Sequence, residues 1–193
     1  MQFFKKYAFV YVLTLILVWA LSGIASESVT LVSTAFEALP EQPVTVVIDP
    51  GHGGEDGGAV SCTGVTESGL NLAIGRKLND LLLFLGIRTV MTRDADVSLH
   101  SPGSQTVSEK KISDLKNRVM LVEQTENAVL VSIHQNTFSE EKYAGAQVFY
   151  APTHGSIELA EIVQGSLRTW LDPENHREIK ESLSVYQIGR AHV

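Results

Sequence analysis

Two histidines and a glutamate are the residues whose types and placement could do chemistry. His52 follows the β-branched run "VTVVID" (44–49), inside the stretch "VVIDPGHGGEDGGAV" (46–60). His134 follows a second apolar run, "AVLVSI" (128–133). Both runs read as strands buried on two faces, and ligands in open α/β sheets collect beyond the carboxyl ends of such strands. Glu67 stands just before a helical stretch, where its side chain can turn back over the same sheet edge. Two neutral imidazoles and one carboxylate, with a water in fourth place, make an open zinc site suited to hydrolysis. Spacing alone is a modest signal. The residues lie 15 apart (52 to 67) and then 67 apart (67 to 134), with no local HExxH helix. A histidine beside a strand end is more often a hydrogen-bonded loop residue, and that reading stays open here.

The glycines around His52 admit a different chemistry, a phosphate cradle. No GK[ST] and no GxGxxG accompanies them, and Asp49, Glu55 and Asp56 would repel an anion. Those three acids suit a cation better, and glycine beside a ligand lets backbone pass close to an ion. Cys62 could ligate metal, but a small buried thiol is the commoner fate. His100, His154, His176 and His192 have polar or terminal surroundings and read as surface residues. Arg93 and Arg118 read as structural ion-pair partners or, alternatively, as contacts for acidic groups of a substrate. Glu140 and Glu141 could reach the site from beyond the third strand, although a solvated charge run is their default reading.

The elements that must position these groups follow from periodicity. Strands are expected at 44–49, 87–92, 128–133 and 145–151. Leu70, Ile74, Leu78, Leu81, Leu82 and Leu85 recur at helical spacing, with Gly86 as the stop. Ile112, Leu115, Val119, Leu121 and Val122 mark a second helix after a long polar loop (94–110). Ile157, Leu159, Ala160, Ile162, Val163 and Leu167 mark a third, ending near Trp170. Strands alternating with helices predict an α/β domain: a mostly parallel sheet flanked by helices.

A chain of 193 residues suits one such domain. Residues 8–25 carry no charge and follow Lys5 and Lys6, so 1–25 reads as a signal peptide or membrane anchor, with Gly23 and Ala25 as small residues before a cleavage point. The domain is then expected outside the cytoplasm, secreted or associated with the membrane through residues 8–25. Residues 26–43 lack a sustained period and read as a linker. A single cysteine excludes an intramolecular disulfide and any CxxC motif. The net charge of −7 excludes the basic face that nucleic-acid binding requires, so no nucleic-acid partner is expected.

Several motifs then occur together and in order: "IDPGHGGEDGGA", Glu67 followed by "NLAI", "TR" at 92–93, "DLKNRVMLV" and "VSIHQN". In these the chain resembles the zinc-dependent N-acetylmuramoyl-L-alanine amidases over roughly residues 44–188. The segment before the domain adds a likeness to the germination-specific amidases of spore formers. The resemblance implies an amidase-type zinc hydrolase fold, and hydrolysis of the bond joining N-acetylmuramic acid to the L-alanine of the stem peptide. It implies Zn²⁺ on His52, Glu67 and His134, and Asn136 lining the substrate groove. It also implies peptidoglycan, spore cortex included, as substrate, and an accessory lipoprotein as partner.

The sequence departs from the family's pattern at one end. The family carries a second glutamate, regarded as the acid/base, in a late strand with a pattern like "PAVLVECGFLSN". This chain follows the family through "REIKESLSVYQ" and continues as "IGRAHV". Residues 44–187 are therefore read as an incomplete catalytic domain, 188–193 as a non-native tail, and the general base as lying beyond the chain. The expected consequence is weak or absent activity. The alternative reading is a module that binds metal or cell wall without catalysis. An unrelated metallohydrolase, such as an aminopeptidase, would need more acidic ligands than the sequence offers.

Overall fold

The computed structural model describes residues 43–135 and 144–182. The expected export segment (1–25), nearly all of the linker, Asn136, Glu140, Glu141, His192 and the tail at 188–193 lie outside the described residues.

Strand β1 (Thr45–Pro50) is the centre of a three-stranded sheet in the order β2-β1-β3, with β2 at Arg88–Met91 and β3 at Ala128–Ile133. All pairing is parallel: Val47 sits opposite Val90 on one side and Leu130 on the other. Val47, Ile48, Asp49 and Pro50 are all buried, as a central parallel strand requires. Pro50 closes the strand where its missing N–H costs nothing, and the ladder runs one step further through the Gly51 amide to the Ile133 carbonyl (2.9 Å).

Helix α1 spans Glu67–Phe84, capped by the Thr66 hydroxyl accepting from the Gly69 amide (3.3 Å). Glu67 is thus the first helical residue rather than the one before the helix. Gly86 (φ 77°) ends the helix as expected, with its amide donating to the Leu83 carbonyl. The packed face differs from the leucine stripe. Ser68, Asn71, Leu72 and Gly75 are buried, Leu78 and Leu82 are half-buried, and Leu70, Ile74, Leu81 and Leu85 are exposed. Gly75 explains the close approach: a Cβ there would lie 2.8 Å from Pro50 Cγ. The leucines establish the helical period but not the face, because the inner face near the site is made of small and polar residues.

Helix α2 spans Val107–Glu123 and begins well before Ile112, so the expected loop at 94–110 is shorter. A capping box sets this start: the Glu109 amide donates to the Thr106 hydroxyl (3.1 Å) and the Glu109 carboxylate accepts from the Thr106 amide (3.0 Å). Helix α3 (Ser156–Trp170) matches its expected span. The fourth strand is shorter than expected, Phe149–Tyr150 (β4), and pairs in parallel with an unexpected strand β5 at Lys180–Glu181, as a separate two-stranded sheet.

Arg118 of α2 joins the layers. Its guanidinium, 2% exposed, meets fully buried Asp49 at 2.6 Å and Asp114 at 2.6 Å. Asp49 also accepts from Thr92 Oγ1 (2.8 Å) and Ser132 Oγ (2.7 Å), so β1, β3, α2 and the residue following β2 share one polar cluster. Burial pushes the Asp49 carboxyl up, but Arg118 and the two hydroxyls outweigh it and hold it below the usual aspartate range. Burial likewise opposes the Arg118 charge, and the two aspartates more than restore it.

Arg118→Met should therefore leave Asp49 uncompensated and cost about 3–5 kcal/mol in urea unfolding. With a folded-state pKa below its unfolded one, Asp49 contributes stability that is full above about pH 5 and lost as pH falls through and below about 4. Asp49→Asn should flatten that acid limb, as read by unfolding midpoints across pH.

Candidate metal centre

Beyond β1 the backbone carbonyls at 50–52 are held by two buried arginines. Arg93 donates to the carbonyls of Pro50 (2.8 Å), Gly51 (3.0 Å) and Ser68 (2.8 Å). Arg118 donates to those of Pro50 (3.0 Å) and His52 (2.8 Å). This clamp fixes His52 in the left-handed region (φ 62°), where a non-glycine residue is disfavoured and must be held by its surroundings. Both arginines have structural partners and each is 2% exposed: Arg118 pairs with Asp49 and Asp114, Arg93 is spent on backbone carbonyls rather than on an ion pair, and Arg118 also lines the cleft beside His52 and His134. Burial and the neighbouring Arg118 charge lower the Arg93 pKa.

The clamp aims His52 at Glu67. His52 Nε2 lies 3.2 Å from Glu67 Oε1, and His134 Nδ1, beyond the end of β3, lies 3.1 Å from the same oxygen. The two imidazoles meet edge to face, centroids 5.0 Å apart. One ligand atom from each of the three residues falls within 4.8 Å of the others. Glu67 is the fixed member. Its Oε1 accepts from the Gln135 amide (2.9 Å) and Asn71 Nδ2 (3.4 Å), and its Oε2 from the Ala59 amide (3.0 Å). Burial pushes its carboxyl up, but those backbone donors, His52 and Asn71 hold it below the usual glutamate range.

This donor set fits a zinc ion. Ligand atoms about 2.0–2.1 Å from an ion at tetrahedral angles lie ~3.3 Å apart, close to the two separations observed. His134 is 43% exposed and leaves the group open on one side. Two glycines keep it clear. A Cβ on Gly51 would run into the His134 ring, and one on Gly58 (φ 66°) would lie 2.7 Å from both Glu67 Oε2 and His52 Cδ2.

Asp49, Glu55 and Asp56, the acids that suit a cation better than a phosphate, each have a cationic or imidazole partner within the chain. Asp49 is committed to Arg118, Glu55 to Lys110 (2.7 Å), and Asp56 to His52 Nδ1 (3.1 Å), with Lys111 3.7 Å away. Burial pushes the Asp56 carboxyl up, and His52, the Gly58 amide and Lys111 bring it below the usual range. Cys62 is exposed rather than buried and lies outside the ligand group. His154 and His176 are exposed as expected. His100 is not a plain surface residue: half-buried and bonded to Ser98 Oγ (2.8 Å), it lines a cleft of about 480 Å³ that also takes in His52, Lys110, Lys111 and His134. Asn71 was missed, although its position four residues after Glu67 places it on the same helix face. Fully buried, it also donates to the Gly51 carbonyl (3.2 Å) and accepts from Gln135 Nε2 (3.2 Å).

Residues 46–191 match the N-acetylmuramoyl-L-alanine amidase family. The chain belongs to that family. Among its relatives is the germination-specific N-acetylmuramoyl-L-alanine amidase of Bacillus subtilis, 34% identical over 77% of this chain and 62% of that protein. AmiC of Escherichia coli is 31% identical over 62% of this chain and 26% of its own length. The chain thus spans less than two thirds of these curated relatives. Among solved structures, the CwlD amidase of Clostridioides difficile, in complex with the GerS lipoprotein, superposes with a TM-score of 0.74 at 35% identity, covering 78% of each chain. The amidase family's α/β fold and parallel sheet are therefore those of this chain.

The glycine geometry makes a prediction. Gly51→Ala should displace the His134 ring and weaken zinc binding by about tenfold or more, the scale on which disturbing ligand support acts. Gly103→Ala, with open space around its Cβ, should leave affinity unchanged. Competition titration against a chromophoric chelator reads both.

Proposed function

We propose that the chain is a zinc-dependent N-acetylmuramoyl-L-alanine amidase of exported peptidoglycan metabolism. The observation that carries this reading is the convergence of His52 Nε2 and His134 Nδ1 on one Glu67 oxygen, within a chain of the amidase family. His52, Glu67 and His134 would hold the ion. Zinc, when bound, supplies Lewis acidity for activating water and polarising the amide carbonyl. The chain's own residues do the positioning: Arg93 and Arg118 fix the His52 backbone, Asn71 and the Gln135 amide fix Glu67, and the glycines leave room beside the rings. The open face toward His134 and the adjoining cleft suit a long polymer strand.

The germination-specific relative supports spore cortex as the form of peptidoglycan acted on. The CwlD neighbour, solved with a lipoprotein, supports an accessory lipoprotein partner. Export and a membrane-proximal location rest on the sequence of residues 1–25, with 44–187 as the enzymatic domain and Asn136 at its substrate groove. Among the described residues no helix is long and apolar enough to cross a membrane.

The alternative reading is a module that binds metal or cell wall without cleaving.

The decisive experiment measures zinc in purified wild type and His134→Ala, alongside release of stem peptide from muropeptides. Near one zinc per wild-type chain, most of it lost in the variant, is expected; equal zinc in both would remove the metal centre. Peptide release that stops with a chelator and returns with zinc supports the amidase. Zinc without release supports the binding module.

A further inference from the structure

The turn that follows His52 folds back on itself. The Gly53 amide donates to the Asp56 carbonyl (2.9 Å) and the Asp56 amide to the Gly53 carbonyl (3.2 Å), with Gly53 and Gly54 at φ 139° and 58°. This closure returns the Asp56 carboxylate onto the ring four residues earlier, 3.1 Å from Nδ1, the nitrogen facing away from Glu67. Asp56 is anchored in turn by the Gly58 amide (3.3 Å) and, from helix α2, by Lys111 (3.7 Å). His134 has no equivalent support: its contact with Glu67 uses Nδ1, and no carboxylate other than Glu67 contacts it among the described residues.

Building on the metal-site reading above, we infer that Asp56 is a positioning residue, which keeps the Nδ1 proton on His52 so that Nε2 presents its lone pair to the ion. An ionised carboxylate only accepts, so a neutral ring beside it must carry its hydrogen on Nδ1. Nε2 then faces the Glu67 oxygen at 3.2 Å as a second acceptor, an arrangement that a cation between the two resolves. Carboxylate–histidine pairs of this kind fix both the tautomer and the ring orientation of a metal ligand. Lys111 links this support to α2, whose Arg118 already holds the His52 carbonyl, so one helix steadies the ligand through both its backbone and its ring.

The test uses the full chain, with zinc as the probe. Asp56→Ala should weaken zinc binding by roughly 10–100-fold in a chelator competition. Asp56→Asn, which keeps an acceptor oxygen, should lose less. Glu55→Gln removes the same charge from the same turn but does not touch the ring, and should stay within about twofold of wild type if orientation rather than net charge is at work. In the metal-free protein at a pH where imidazole is neutral, ¹⁵N imidazole spectra should show His52 as the Nδ1–H tautomer in wild type and a mixed population in Asp56→Ala. An unchanged affinity in Asp56→Ala, an equal loss in Glu55→Gln, or an unaltered His52 tautomer would overturn the inference. Should Asp56→Ala fail to fold, Asp56→Asn and the wild-type tautomer decide the question. Wild type that binds no zinc would defeat the metal-site reading, while the tautomer comparison would still judge the role of Asp56.

Discussion

The buried pair of Asp49 and Arg118 is the contact on which the arrangement around it depends. A charge pair taken out of water gains little by attraction alone, because desolvation costs several kcal/mol per ion. Here the remaining hydrogen-bonding capacity is also used. Asp49 takes one hydroxyl from β3 and one from the residue following β2, and Arg118 reaches a second aspartate and two backbone carbonyls. Among the described residues no buried side-chain nitrogen or oxygen lacks a partner. A network satisfied to this degree admits one geometry, because any shift of β1 against α2 would expose an unpaired group at low dielectric. The end of β1 is therefore fixed before the loop begins, and the loop inherits that fixity.

That inheritance explains how a strained, glycine-flanked histidine can serve as a ligand. Left to its own preferences, the stretch from Gly51 to Gly58 would sample many conformations. Arg93 and Arg118 remove that freedom from outside by taking the carbonyls of Pro50, Gly51 and His52. The glycines are then free to serve clearance, at Gly51 against His134 and at Gly58 against Glu67. The three acids of the same stretch divide into different tasks. Asp49 neutralises the clamp, Asp56 steadies the His52 ring, and exposed Glu55 pairs with Lys110. None of the three joins the ligand group, so the local negative charge is not a measure of coordination.

What the sequence made legible follows from which forces act locally. The β-branched runs marked β1 and β3 to within a residue, although only central β1 is buried on both faces and β3 is half-buried, and the candidate ligands at their ends followed from sheet topology. Glu67 was legible through its place at a helix start. The face of α1 was not, because the surface it packs against accepts Gly75, Ser68 and Asn71 where a periodicity argument looks for leucine. The early start of α2 was written in Thr106 and Glu109, a capping signal set inside the polar run that reads as a loop. The arginine roles stayed open for a different reason. Whether a guanidinium clamps backbone or meets substrate depends on burial, and burial of Arg118 is set by residues 49, 50, 52 and 114, brought together only by folding.

The three residues of the candidate metal centre differ in how firmly they are held, and the difference has a direction. Glu67 is 5% exposed with donors on both oxygens, His52 is 25% exposed with support at its backbone and its ring, and His134 is 43% exposed with Glu67 as its carboxylate neighbour. Burial and hydrogen-bond support fall from the sheet side toward solvent. An ion in this group would be located by Glu67 and His52, with His134 closing on it from the exposed side. The surface left uncovered is then the one beside His134, which is also where the cleft with His100, Lys110 and Lys111 opens. A polymer too large to enter a pocket can approach only from such a face. On the amidase reading proposed above, a buried anchoring carboxylate and an exposed last histidine would answer one demand: an ion held accurately at the rim of the domain, with room left for a chain to pass across it.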